Sequence, residues 1–127
     1  LVRGHIQLVK EATGHEPDEL IFAGGAAKSP LWSQIVADVT GKPVKVPVVK
    51  EATALGAAIL AGVGVGLYDS VEDAVERTVK WDRQFQPDPS VKAVYDQLYD
   101  SWKKLYPAQL ALCDAGVTRN MWIAPGL

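Results

Sequence analysis

The stretch IFAGGAAKSPLW, residues 21–32, constrains the fold more than any other part of the chain. Leu20, Ile21, Phe22 and Ala23 are apolar on both faces, as expected of a short strand covered on both sides. A glycine pair, Gly24 and Gly25, ends the run, and a helix follows at once with clear punctuation. Ser29 is placed to accept a hydrogen bond from a free backbone N–H, and Pro30 stands at the first helical position, where a missing N–H costs nothing. Leu31, Ile35 and Val39, with Trp32 and Val36, fall at spacings of three and four and predict one apolar face. Gly41 closes this helix, as Gly14 closes the helical pattern of LVRGHIQLVKEATG at the start.

KPVKVPVV alternates Val44, Val46 and Val48 with Lys45 and Pro47, the pattern of a half-exposed strand. Pro47 cannot donate to a ladder, which predicts an edge position or a strand end. After Glu51, ATALGAAILAGVGVG predicts a third helix in which Ala54, Ala57, Ala58 and Ala61, with Gly56, allow a neighbour unusually close. Ser70 and Asp73 resemble a capping box that opens a fourth helix, residues 71 to about 80. DRQFQPDPS reads as a proline-broken connector. A last helix after Ser90 repeats Val91, Val94, Tyr95, Leu98, Trp102 and Leu105 at helical spacing, and Pro107 should kink or divide it. The order is α/β, but only two strands are legible, and two strands make a poor sheet alone. The expectation is a small incomplete sheet within a longer protein, and the opening at Leu1 inside a helical pattern points the same way.

Composition narrows the functional classes. With 127 residues, 48% hydrophobic and 22% charged, the chain suits one domain with a buried core. Thirteen basic and 15 acidic residues are spread along it for a net charge of −2, so no basic stripe suits a nucleic acid. Cys113 has no cysteine to pair with, and His5 and His15 form no zinc-type cluster, a usage that fits a reducing, cytoplasmic compartment. Residues 52–67 are almost free of charge, yet Gly56, Gly62, Gly64 and Gly66 interrupt them and no anchors flank both ends, so no membrane span is expected. Asp18, Glu19, Asp38, Glu51, Asp69 and Asp73 are scattered, and no His or Cys pairs with a nucleophilic serine. Asp38, near a helix C-terminus, opposes the dipole and should have a polar partner and a structural role. Trp32, Trp81, Trp102 and Trp122 read as core or interface anchors.

A strand ending in Gly-Gly before a capped helix is a common ligand-binding geometry, because free N–H groups carry partial positive charge and glycines admit a ligand to the backbone. The same residues also suit a tight turn with no ligand, and GGAAKS matches neither GxGxxG nor GxxxxGK[ST]. EATALGAA supplies a second small-residue surface after a second strand. The two edges suit either the walls of a slot for a flat ring or close packing alone.

Taken together, IFAGGAAKSPLWSQIVADVTGKPVKVP and EATALGAAILAGVGVG resemble the nucleotide-binding half of the C-terminal domain of the FGGY carbohydrate kinases, whose fold is the actin-like, ribonuclease-H-like ATPase fold. The double match, GG(A/G)xxS before a helix and ExTAxGAA farther on, carries the likeness. WDRQFQPDP and MWIAPGL look most like the branch containing the autoinducer-2 kinases, with the xylulokinases as the nearest competing branch. The resemblance implies that Gly24, Gly25 and Ala26 lie against the adenine and ribose of ATP, that Ser29 is the polar contact to the base, and that Thr53 and Gly56 support the cleft. It implies that residues 1–127 are the C-terminal portion of the ATP-binding domain, with a sugar-binding domain and the first part of this domain ahead of them. The catalytic aspartate, the phosphate-binding hairpin and the Mg²⁺ ligands then belong to that preceding part, and none is assigned here. The implied reaction moves the γ-phosphoryl group of ATP to a primary hydroxyl of a small open-chain dihydroxy-pentanedione, in the cytoplasm, with the rest of the polypeptide as partner and no nucleic acid or membrane. Two other classes stand beside it: a non-catalytic actin-like interaction domain, and a helical docking module carried by the last amphipathic helix.

Overall fold

The computed structural model describes residues 1–118, so Trp122 and the MWIAPGL ending lie outside the described residues. Two compact units divide the chain, the first spanning Leu1–Lys92 and the second beginning at Ala93. In the first, α1 (Val2–Thr13) leads to β1 (Leu20–Ile21), a 3₁₀ turn (Gly25–Lys28), α2 (Pro30–Thr40), β2 (Val44–Pro47), α3 (Ala52–Gly64), α4 (Val71–Thr78) and β3 (Trp81–Phe85). A 3₁₀ turn at Pro89–Val91 precedes α5 (Lys92–Lys103) and α6 (Leu105–Asp114), which make up the described part of the second unit.

Local chemistry sets these bounds. Gly14 and Gly41 close α1 and α2 in the left-handed conformation, with φ of 72° and 66°. Ser29 caps α2 by accepting the Trp32 N–H at 3.3 Å, and Ser70 caps α4 by accepting the Asp73 N–H at 3.1 Å. The long terminal helix is divided, as Pro107 requires. The break falls at Lys104, which leaves Pro107 in the first turn of α6, where its missing N–H has no helical partner to lose.

Among the described residues the sheet has three strands in the order β1-β2-β3. β1 runs parallel to β2, with Leu20 opposite Val44, and β3 runs antiparallel to it, with Phe85 opposite Val44 and Arg83 opposite Val46. β3 corrects the reading of residues 82–90 as a connector. The two prolines of that stretch, Pro87 and Pro89, follow the strand rather than interrupt it, so five residues remain free to pair. β2 is therefore central, and Pro47 occupies its last position, where the ladder slips between Val46 and Pro47. Pro47 is buried there, whereas Val48 beyond the strand is exposed.

The core joins fully buried Ala27, Ala37, Val44 and Val46 to Leu20, Phe22, Val36 and Phe85. The face of α2 that packs is Ser33, Val36 and Ala37; of the apolar face expected, Val36 reaches the core, whereas Leu31 and Trp32 are 70% and 56% exposed. Small residues let the helix axis approach the sheet closely, and buried Ser33 is satisfied by donating its hydroxyl to the Ser29 carbonyl at 3.1 Å. A similar correction applies to α3. Ala54, Ala57, Ala58 and Ala61 are exposed, and the close approach occurs at buried Gly62, over which the Tyr68 ring lies. Trp32, Trp81 and Trp102 are all exposed rather than core residues, and Trp102 stacks on Tyr99 with ring centroids 5.8 Å apart. Ile21 is also 65% exposed, against the expectation of a strand covered on both sides. No helix among the described residues is long and apolar enough to cross a membrane.

Candidate functional site

The glycine pair does not pass directly into α2. A 3₁₀ turn intervenes, in which the Ala27 N–H donates to the Gly24 carbonyl at 3.1 Å and the Ser29 N–H to the Ala26 carbonyl at 3.1 Å. The amides of Gly25 and Ala26 therefore stand ahead of the first internal bond of the turn. Gly24 has φ +87° and ψ −173°, a region essentially reserved to glycine, and its N–H is taken by the Lys50 carbonyl at 2.7 Å. A Cβ built on Gly24 or Gly25 would meet nothing within 4 Å. Neither glycine is required by internal packing, and the backbone edge is open to a ligand. Ser29 uses its oxygen to accept from Trp32, which leaves its O–H free as a donor.

The second small-residue surface meets the first at its base. The Gly24 amide and Lys50 carbonyl tie the glycine loop to the turn before α3, and Lys28 reaches Glu51 at 3.4 Å, an exposed pair that orients the loops loosely. Thr53 is exposed on the first turn of α3. Gly56 lines an apolar cavity of about 230 Å³ with Ala23, Ala52, Leu55, Ile59 and Trp81. That cavity is lined by none of Gly24, Gly25, Ala26, Ser29 or Thr53, so Gly56 faces a different space from the glycine edge.

Two residues of the site were not singled out from the sequence. Lys50 and Asp82 pair at 2.7 Å between the end of the β2–α3 turn and the rim of β3. The Lys50 ammonium holds the Asp82 carboxyl below the usual carboxylate range, with a smaller contribution from Arg83. The available signal was the position of Lys50 directly before the EATALGAA motif; Asp82 was hidden by the misreading of β3 as a connector. Asp38 has the polar partners and structural role expected of it: it accepts from the Gln34 amide and from the Asp88 N–H, each at 2.8 Å, joining α2 to the segment after β3. Among the described residues no group of three or more His, Cys, Asp or Glu is placed to share a metal ion.

Residues 1–65 match the model of the FGGY family of carbohydrate kinases, C-terminal domain. The chain belongs to that family, and its fold is the C-terminal part of an actin-like, ribonuclease-H-like ATPase domain. Among its relatives, the chain is 54% identical over 119 residues to the autoinducer-2 kinase of Yersinia pestis (strain Pestoides F), covering 94% of this chain and 22% of that protein. It is 52% identical over 123 residues to the autoinducer-2 kinase of Salmonella paratyphi B, covering 97% of this chain and 23% of that protein. Among solved structures it is similar to the xylulose kinase of Rhodospirillum rubrum, with a TM-score of 0.69 and 30% identity over 87% of this chain and 22% of that one. The chain thus spans less than a quarter of the length of the relatives it matches.

Proposed function

We propose that this chain supplies the adenosine side of the ATP site in a carbohydrate kinase, with Gly24, Gly25 and Ala26 as backbone contacts, Ser29 as a donor to the base, and Thr53 and Gly56 as supporting residues. The observation that carries the reading is the open backbone edge at Gly24 and Gly25, which internal packing does not demand. An adenine ring laid there would have the amides of Gly25 and Ala26 and the Ser29 hydroxyl within reach of one loop. Phosphoryl transfer is mostly positioning and charge neutralisation, and it requires donors around the phosphates, Mg²⁺ and a base for the attacking hydroxyl. We assign these to the part of the polypeptide that precedes residues 1–127, together with the sugar-binding lobe, and give no Asp or Glu of this chain a catalytic role. Closure of that lobe over the nucleotide would exclude water from the transfer.

The relatives favour an open-chain substrate. Identity to the two autoinducer-2 kinases is 54% and 52%, against 30% to the xylulose kinase, so we infer phosphorylation of a dihydroxy-pentanedione at a primary hydroxyl. ATP as the donor suits a cytoplasmic enzyme. Titration calorimetry of the full-length kinase with a non-hydrolysable ATP analogue tests the site. Gly25→Val should weaken binding by about tenfold or more, because the isopropyl group occupies the edge the base would approach; a tenfold change corresponds to about 1.4 kcal/mol. Unchanged affinity sinks the reading.

A further inference from the structure

Lys50 joins the two halves of the candidate site through both its main chain and its side chain. Its carbonyl accepts the Gly24 N–H at 2.7 Å and the Ala52 N–H at 2.9 Å, so one oxygen touches the glycine loop and the first residue of α3. Its side chain is only 14% exposed and turns back on its own segment. Nζ donates to the Pro47 carbonyl at 2.7 Å, the Val48 carbonyl at 3.3 Å and Asp82 Oδ2 at 2.7 Å. An ammonium has three N–H donors, and here three acceptors are gathered around it. The ladder slips between Val46 and Pro47, and the ammonium bonds the two carbonyls that lie at and just past the slip. Asp82 fixes the ammonium, the ammonium fixes the turn of residues 47–50, and the last carbonyl of that turn fixes Gly24.

We propose that Lys50 and Asp82 are positioning residues for the adenosine edge: without touching the nucleotide, they set where Gly24 and the amides after it are presented. The inference rests on the reading of Gly24 to Ser29 as that edge. It also specifies lysine at position 50, because the planar fork of arginine does not match three acceptors arranged around a tetrahedral nitrogen.

The test uses the full-length kinase, with steady-state kinetics in ATP and in the carbohydrate substrate. Asp82→Asn and Lys50→Met should raise KM for ATP by about threefold to fivefold, the range expected for a partly exposed ion pair, with kcat and KM for the second substrate little changed. Asp82→Glu should recover much of the loss. If Lys50→Met does not fold, Asp82→Asn carries the test, because the Asp82 side chain is 37% exposed on the sheet rim. Wild-type KM for ATP in both variants, or parallel losses toward both substrates, overturns the positioning role. Gly25→Val, run beside them, separates the two levels. If it raises KM for ATP while the Lys50 and Asp82 variants do not, the positioning role alone fails; if it has no effect, the site itself is misplaced.

Discussion

The glycines at positions 24 and 25 and the glycine at position 62 lie in the same sheet-and-helix unit, and they lack a side chain for opposite reasons. A Cβ on Gly62 would sit 2.6 Å from Cε2 and 2.7 Å from Cδ2 of Tyr68, so the hydrogen there is what lets the ring lie on α3. A Cβ on Gly24 or Gly25 would meet nothing within 4 Å. Gly24 is a glycine by conformation, at φ +87°, and Gly62 by packing, while at Gly25 neither conformation nor packing demands one. A bare backbone is therefore no sign of a ligand until the space around it has been inspected. The sequence motif around Gly56 suggested close packing in α3, and the packing is real, but it is made six residues farther along the helix, at Gly62.

The largest effect should come from Gly24→Ala. The conformation at Gly24 costs a residue with a Cβ about 1–3 kcal/mol. The loop should leave that conformation and break the bond from the Gly24 amide to Lys50, lowering both the unfolding midpoint and ATP affinity. Wild-type values for both would mean that the loop rearranges freely and that its conformation is not part of the site. Gly62→Ala should come next, and should split the two readouts. Overpacking against Tyr68 costs about 1–3 kcal/mol, partly offset by about 1 kcal/mol of gained helix propensity. Denaturant unfolding should show a net loss of about 1 kcal/mol with ATP affinity unchanged, and Tyr68→Ala in the same background should remove the clash. Weakened ATP binding without loss of stability would erase the distinction between the two kinds of glycine.

What was legible from residue order alone follows from how local each signal is. The caps at Ser29 and Ser70, the closures at Gly14 and Gly41 and the division of the last helix depend on neighbours within a turn, and each was readable. β3 was not, because its evidence is a partner strand 34 to 41 residues away: the alternation of Trp81, Arg83 and Phe85 gains meaning only opposite Val44 and Val46. The packing face of α2 was misread for a related reason. Periodicity marks Leu31, Ile35 and Val39, with Trp32 and Val36, as one face, but the core takes Val36 from it and adds the small ridge of Ser33 and Ala37. The glycine motif itself was fully visible, while the Lys50 and Asp82 pair behind it needed the third strand to be seen first.

The smallest effect tests whether the unit can be loosened without disturbing either kind of glycine. Glu16, just beyond α1, is gripped by Lys10 at 2.5 Å and by Lys42 at 2.8 Å, on the link from α2 to β2. Hydrogen bonds from Lys10 first and Lys42 second bring its pKa from 4.5 to about 2. A carboxylate whose pKa is lower in the folded state contributes stability above its ordinary pKa and loses that contribution as pH falls through the folded value. Here the loss runs from 4.5 down to about 2. All the groups are partly exposed, so the effect is small and weakened further by salt. Between about pH 5 and about pH 3 the unfolding midpoint of the native protein should therefore fall more steeply than that of Glu16→Gln, with the gap shrinking in high salt. ATP affinity at neutral pH should be the same in both, since neither Gly24 nor Gly62 is tied to this corner. Parallel pH profiles would show that the two lysines contribute nothing to folding through Glu16. A change in ATP affinity would show that the glycine edge is coupled to α1.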